Sequence, residues 1–267
     1  MDLIALKLLL DQKHDAFNLK AFIPHDPICI PHRFTHLQDI EISGLFAATF
    51  AWGQRQTIIN KANELMSRMD NMPYDFVKNH TQSDLKRLLH FKHRTFNDTD
   101  LLHFIGFLHV YYQKNNSLEN IFFDEMNLFL GIENGLKRLH TLFFDDEFAP
   151  QRTKKHLSTP ANGSACKRLC MYLRWLVRND DRGVDFGLWQ KIPASSLIIP
   201  LDVHVLRTAK TLGILNIQDK ANWNTALKLT HFLAQLDPKD PTKYDFALFG
   251  MGIQKNLSGQ EIIYQTK

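Results

Sequence analysis

The chain has 267 residues, 44% of them hydrophobic, which suits one large domain or two small lobes sharing a core. Twenty Phe against 12 Gly and 10 Pro exclude a low-complexity chain. A net charge of +4 allows a nucleic-acid partner without requiring one, and three cysteines exclude a disulfide framework and point to a reducing cytoplasm.

The elements are read in chain order from hydrophobic periodicity. "MDLIALKLLLDQKHDAF" lacks the basic flank and small-residue cleavage site of a signal peptide. It is too short, and too interrupted by Lys7, to span a bilayer, so it predicts an amphipathic first helix and no membrane association. "IPHDPICIPHRFTH" follows, with His25, Asp26, Cys29, His32 and His36 close together. Zinc takes such ligands. Three prolines and the lack of a CxxC pair favour instead an extended loop across the helices, and no metal site is assigned.

Helices are then predicted over 36–52, 56–69, 83–91 (with Ser83 as its cap), 97–114, 117–130 and 132–144. A polar break at 145–164 is the best candidate for a hinge between lobes. Four more helices are expected over 165–178, 203–214, 222–236 and 241–253. Alternating strand patterns are nearly absent. The expectation is an all-α chain of about ten helices, a single helical domain over 1–267, without internal repeat or long linker.

Three segments carry candidate chemistry. In "GSACKRLCMYLRWLVR", Gly163 and Ser164 stand in a turn opening a helix, where backbone N–H groups suit a phosphate. Lys167, Met171, Arg174 and Arg178 share one face, which reads either as a solvated basic face or as a phosphate-contacting one. In "SLIIPLDVHVLRTAKTLGIL", Asp202 is either an N-cap or a catalytic base, with His204 and Arg207 close behind it. In "FAWGQRQTIINKA", Gln54, Arg55 and Gln56 form a polar turn between two helices, either a solvent-exposed connection or a wedge for a base stack.

Together these segments resemble the helix-hairpin-helix DNA glycosylases, the superfamily of endonuclease III, the mismatch adenine glycosylase and 8-oxoguanine glycosylase. "FAWGQRQTIINKA" resembles the family's Gln- or Asn-rich turn and the helix after it. Gly163 to Lys167 is similar to the hairpin turn and its lysine, and "LDVHVLRTAKTLGI" to the "VDTHV" or "VDVHV" segment that ends in an "LG" turn. "YDFALFGMGI" resembles the late helix that ends in Gly. The likeness is nearest to an uncharacterised bacterial family of this length.

The resemblance implies a two-lobed helical fold around a cleft, in a monomer that binds double-stranded DNA and flips out a modified base. It implies Asp202 as the carboxylate that stabilises the sugar cation or activates a nucleophile, and Lys167 as a Schiff-base amine. Gln54, Arg55 and Gln56 would fill the stack. Gly163, Ser164, Arg174, Arg178, His204 and Arg207 would contact DNA. The sequence departs from the pattern in three ways. Thirty-five residues separate Lys167 from Asp202, with 179–195 as an apparent insert. The hairpin turn "TPANGSACK" has one glycine, and the late cluster-binding cysteines are missing, so no iron–sulfur cluster or other cofactor is expected.

Overall fold

A computed structural model describes residues 2–257; Met1 and 258–267, over which the single-domain reading also runs, lie outside the described residues. The described chain is mostly helical, as periodicity predicts, with one two-residue strand pair. No described helix is long and apolar enough to cross a membrane.

Helix α1 (Leu3–Phe17) is capped by Asp2, whose carboxylate accepts the Ala5 N–H at 2.7 Å. Three short 3₁₀ turns follow, at Lys20–His25, Pro27–Cys29 and Pro31–Arg33. Proline opens the second and third, where its missing N–H costs nothing. Asp26 caps the second through the Ile28 N–H, and His32 Nε2 pairs with the Val184 carbonyl. These side chains are occupied in packing the segment down. Among the described residues no group of three His, Cys, Asp or Glu could hold a metal ion.

Helix α2 (Leu37–Phe50) is apolar on every side and runs through the core, buried from Ile40 to Phe50. It carries one buried acid, Glu41, which accepts from the Tyr112 and Ser117 hydroxyls, the Trp189 indole and the Leu118 amide. Four donors meet the hydrogen-bonding needs of a carboxylate that burial alone would leave costly. Helix α3 (Arg55–Arg68) buries Ile58, Ala62, Leu65 and Met66, the stripe that its spacing predicts. Helix α4 (Pro73–Asn79), which periodicity does not predict, begins at a proline.

Two predicted helices are corrected. Over 83–91 only α5 (Gln82–Lys86) forms, capped by a Thr81–Asp84 capping box and not by Ser83. The chain then turns at His90, held by the Asp98 carboxylate on its N–H, into β1 (Lys92–His93) and β2 (Phe96–Asn97), paired antiparallel. Over 117–130 a 3₁₀ turn (Leu118–Phe122) gives way to a loop. Asp124 accepts from the Met126 and Leu128 amides there, a local bond that competes with helix continuation.

Helix α6 (Asp98–Tyr112) lies between, and α7 (Ile132–Phe143) follows. The 145–164 stretch is two further 3₁₀ turns. Four helices complete the described chain: α8 (Lys167–Val177), α9 (Val203–Thr211), α10 (Trp223–Leu236) and α11 (Tyr244–Leu257).

Buried side chains form two apolar clusters. The larger holds α2, α3, α6, α7 and α8. The smaller holds α1 with α9, α10 and α11. Helix α8, which follows the polar break, packs into the larger cluster, and the chain returns near Ile199 and Leu201 to the smaller one, which also holds Leu6, Leu10 and Ala165. Glycines permit the closest approaches in the smaller cluster. A Cβ on Gly250 would meet the Phe17 ring at 2.3 Å, and one on Gly252 would lie 3.1 Å from the His204 carbonyl oxygen. The "FGMG" spacing therefore lets α11 lie against both α1 and α9.

Candidate functional site

A cavity of about 540 Å³ opens between the two clusters. Helix α8 supplies Lys167, Met171 and Arg174 to its wall, the head of α9 supplies Asp202 and His204, and α11 supplies Asp245 and Phe249. Trp52, Gly53 and Arg55 come from the turn between α2 and α3, and Phe22 and Asp26 from the 3₁₀ segment.

Lys167 is placed by the turn before α8. Gly163 has φ of +71°, a left-handed position at which a side chain is strained, and Ser164 Oγ accepts the Cys166 N–H at 3.2 Å. Cys166 itself takes φ of +48° and caps α8 without a side-chain bond. The turn is tied to α10, whose Trp223 N–H donates to the Gly163 carbonyl at 3.1 Å. Gly163 is exposed, and space is open where its Cβ would stand.

Asp202 is an N-cap: Oδ1 accepts the His204 and Val205 amides at 2.8 and 2.9 Å. Its Oδ2 faces Lys167 Nζ at 3.9 Å, an ion pair too long for a hydrogen bond. The side chains are 28% exposed for Lys167 and 18% for Asp202, so both reach solvent through the cavity. The 35-residue separation in sequence closes because the intervening loop lies along α8. Phe186 and Trp189 donate their amides to the Trp175 and Leu176 carbonyls, and the Trp189 side chain is buried against Glu41. The 179–195 insert thus sends Val184, Trp189 and Ile192 into the core, while Asp181, Leu188 and Lys191 stay exposed.

The basic face of α8 divides. Lys167 opens onto the cavity, but Arg174 and Arg178 are only 4% and 2% exposed, which corrects the solvated-face reading. Arg174 donates to Asp245 and lies 3.3 Å from Asp185. Arg178 meets Asp180 at 2.7 Å, Asp240 at 2.8 Å and Asp185 at 3.2 Å. A buried guanidinium needs such matching, because desolvation costs more than one exposed pair returns.

Of the polar turn, Gln54 and Gln56 are exposed, and Gln56 is bonded to Asn60 on its own helix at 2.9 Å. Arg55 instead crosses the cavity, its guanidinium 5.5 Å from the Phe249 ring centre. His204 lies edge-on to the same ring at 6.2 Å. Arg207 lies on α9 and does not line the cavity.

Two cavity residues, Trp52 and Asp245, carry no site role on sequence grounds, and Asp26 enters there only as one of the candidate metal ligands. Trp52 stands in the sequence only at the end of the helix expected over 36–52. In the fold it stacks on His156 with planes 10° apart and carries Arg168 4.9 Å above its ring. Asp245 sits inside the "YDFALFGMGI" motif, but only burial marks it as unusual. Burial raises its carboxyl to about 6 and nearby Asp202 adds to that, against the pull of Arg174 and Lys167. No local pattern announces this, because the charges involved lie on separate segments.

Residues 26–254 match the family described as "Protein of unknown function (DUF2400)". The chain belongs to this family. The match covers α2 through α10 and every cavity-lining residue named above except Phe22. No curated protein and no solved structure matched the chain.

Proposed function

We propose that the chain binds double-stranded DNA, receives a flipped modified base in the cavity, and cleaves its N-glycosidic bond with a Lys167-dependent lyase step. The observation that carries this reading is the pairing of Lys167 Nζ with Asp202 Oδ2 at 3.9 Å on the wall of a cavity of about 540 Å³. Such a volume falls within the range of small-ligand sites. A base must leave the duplex before its glycosidic bond can be reached.

Breaking that bond places positive charge on the sugar, which a fixed carboxylate stabilises. Asp202 is suited to this, since two amides lock one oxygen and leave the other toward the cavity. Lys167 is suited to attack C1′ as an amine, forming a Schiff base. Trp52, Phe22 and Phe249 supply apolar walls, and the exposed Gln54–Gln56 turn borders the cavity through Gly53 and Arg55, where a displaced base would leave a gap. Gly163 and Ser164, in the open turn before α8, suit one phosphate contact, with Arg55, His204 and Arg207 near the other strand.

Duplexes carrying uracil, 8-oxoguanine, alkylated purines or an abasic site test the reading. Wild type is expected to release one such base or nick one such strand, Asp202→Asn to lose at least ~100-fold in rate, and Lys167→Gln to lose the borohydride-trapped adduct. Cleavage that Asp202→Asn leaves untouched would sink the assignment. Salt-sensitive duplex binding with no turnover on any substrate would mark a DNA-binding protein that keeps the cavity without the chemistry.

A further inference from the structure

The hairpin of β1 and β2 leans on the same turn that borders the cavity. Its register pairs His93 with Phe96, so Arg94 and Thr95 are its tip. Three contacts hold that tip in place. His93 is buried, pairs through Nε2 with the Phe50 carbonyl and has its ring centre 5.4 Å from that of Trp52. Phe96 is buried edge-on against His156. Arg152 donates to the Thr95 carbonyl at 2.8 Å and lies 3.3 Å from the buried Asp100. The tip is therefore a fixed platform beside Trp52.

Arg94 stands at φ of +55°, a position for which short hairpins favour glycine, asparagine or aspartate. A long cation is kept there against local backbone preference, and such outliers gather where a side chain has work to do. Its guanidinium lies over Gly53, where an added Cβ would stand 2.3 Å from Nη1. Gly53 itself lines the cavity. Arg94 is exposed and makes no ion pair among the described residues. Asp98, the next acid along the chain, is occupied with the His90 and Thr99 amides. Arg55 turns to the Phe249 ring in the cavity wall, so the cation over Gly53 comes from the hairpin and not from the turn itself.

An exposed guanidinium without a carboxylate, held at the rim of a cavity, suits a phosphate, whose oxygens match its fork of N–H donors. We propose that Arg94 holds a backbone phosphate of the DNA strand that carries the flipped base, beside the Gln54–Gln56 turn. The inference rests on the DNA-binding reading above. A contact of this kind fixes the register of the strand against the cavity and is indifferent to base sequence.

The test measures binding of a duplex with a tetrahydrofuran abasic-site analogue by fluorescence anisotropy across a salt series. Arg94→Gln is expected to weaken binding about 3- to 10-fold at about 50 mM salt and to lower the salt slope by about 1. Lys114→Gln, an exposed cation just past the far end of α6 and roughly 20 Å along that helix from the hairpin, is expected to change neither. Arg94→Gly is expected to weaken binding as Arg94→Gln does, with a urea midpoint equal to or above wild type, because glycine accepts the positive φ. In a strand with one neutral methylphosphonate moved along it, one position near the lesion is expected to weaken wild type and leave Arg94→Gln unchanged. Wild-type affinity and slope in Arg94→Gln, a loss matched by Lys114→Gln, a loss that follows a lowered urea midpoint in both Arg94 variants, or no position that distinguishes the two proteins overturns the contact. Any of these beside salt-sensitive binding by wild type removes the Arg94 contact alone. A wild type that binds no duplex sinks the reading of the cavity with it.

Discussion

Asp202 answers two demands with one carboxylate, and substitution separates them. Asparagine keeps a capping oxygen for the His204 and Val205 amides but removes the charge opposite Lys167, whereas alanine removes both. Asp202→Asn is therefore expected to unfold within about 0.5 kcal/mol of wild type and Asp202→Ala to lose about 1 kcal/mol, read by urea denaturation. His156 gives a second prediction. It is buried between Trp52 and Phe96, and burial lowers its value to about 4 from 6.5, although Asp100 pulls the other way. Between these values the unfolded chain takes up a proton that the folded chain does not. The neutral ring's contribution is therefore full above pH 6.5 and lost as pH falls toward 4. The stability of wild type relative to His156→Phe is expected to drop by about 1–3 kcal/mol between about pH 7 and about pH 4.5, measured by urea denaturation at both. Comparing the pair cancels Asp245, whose raised value works in the opposite sense, contributing stability below pH 3.8 that is lost as pH rises through 6.

At the scale of elements, α8 shows how far periodicity reaches. The i, i+4, i+7, i+11 spacing of Lys167, Met171, Arg174 and Arg178 gives a single face correctly, since side-chain direction follows from helix geometry. Which end of that face meets solvent is decided by Asp180, Asp185, Asp240 and Asp245, three of them in loops and one on α11. Asp185 lies between both arginines, so Asp185→Asn leaves two buried guanidiniums short of charge. It is expected to cost about 3–5 kcal/mol in urea or thermal unfolding, far more than an exposed pair such as Lys7–Asp11. The turn before α8 makes a gentler case. Gly163→Ala meets no neighbour but must keep φ of +71°, so it is expected to cost about 1 kcal/mol through backbone conformation alone. The two corrected helices, 83–91 and 117–130, have a common cause. Asp98 and Asp124 each bind backbone amides close by in the chain, and such short-range bonds leave no periodic trace.

For the whole molecule, a charge of +4 spread over 267 residues sets the expectation for DNA. Arg174 and Arg178 are paired with carboxylates inside, so under the proposed function phosphate contact would fall to a few residues around the cavity mouth. Duplex affinity is expected to fall with salt with a shallow slope. Lys167→Gln or Arg55→Gln is expected to lower that slope by about 1 for each phosphate ion pair removed, measured by fluorescence anisotropy across a salt series. Most of the longer helices, the α3 stripe and the Asp202 position at a helix start are legible in the chain alone because caps and periodicity are properties of neighbours within a turn or two. Resemblance, not spacing, suggests the meeting of Lys167 and Asp202, since the 34 intervening residues carry no distance information. Folding alone brings α8, α9 and α11 to one cavity, buries Arg174 and Arg178, and sets Asp245 among Arg174, Lys167, Asp202 and Asp185. Burial and electrostatic fields are sums over the entire molecule, and no segment of the sequence holds them by itself.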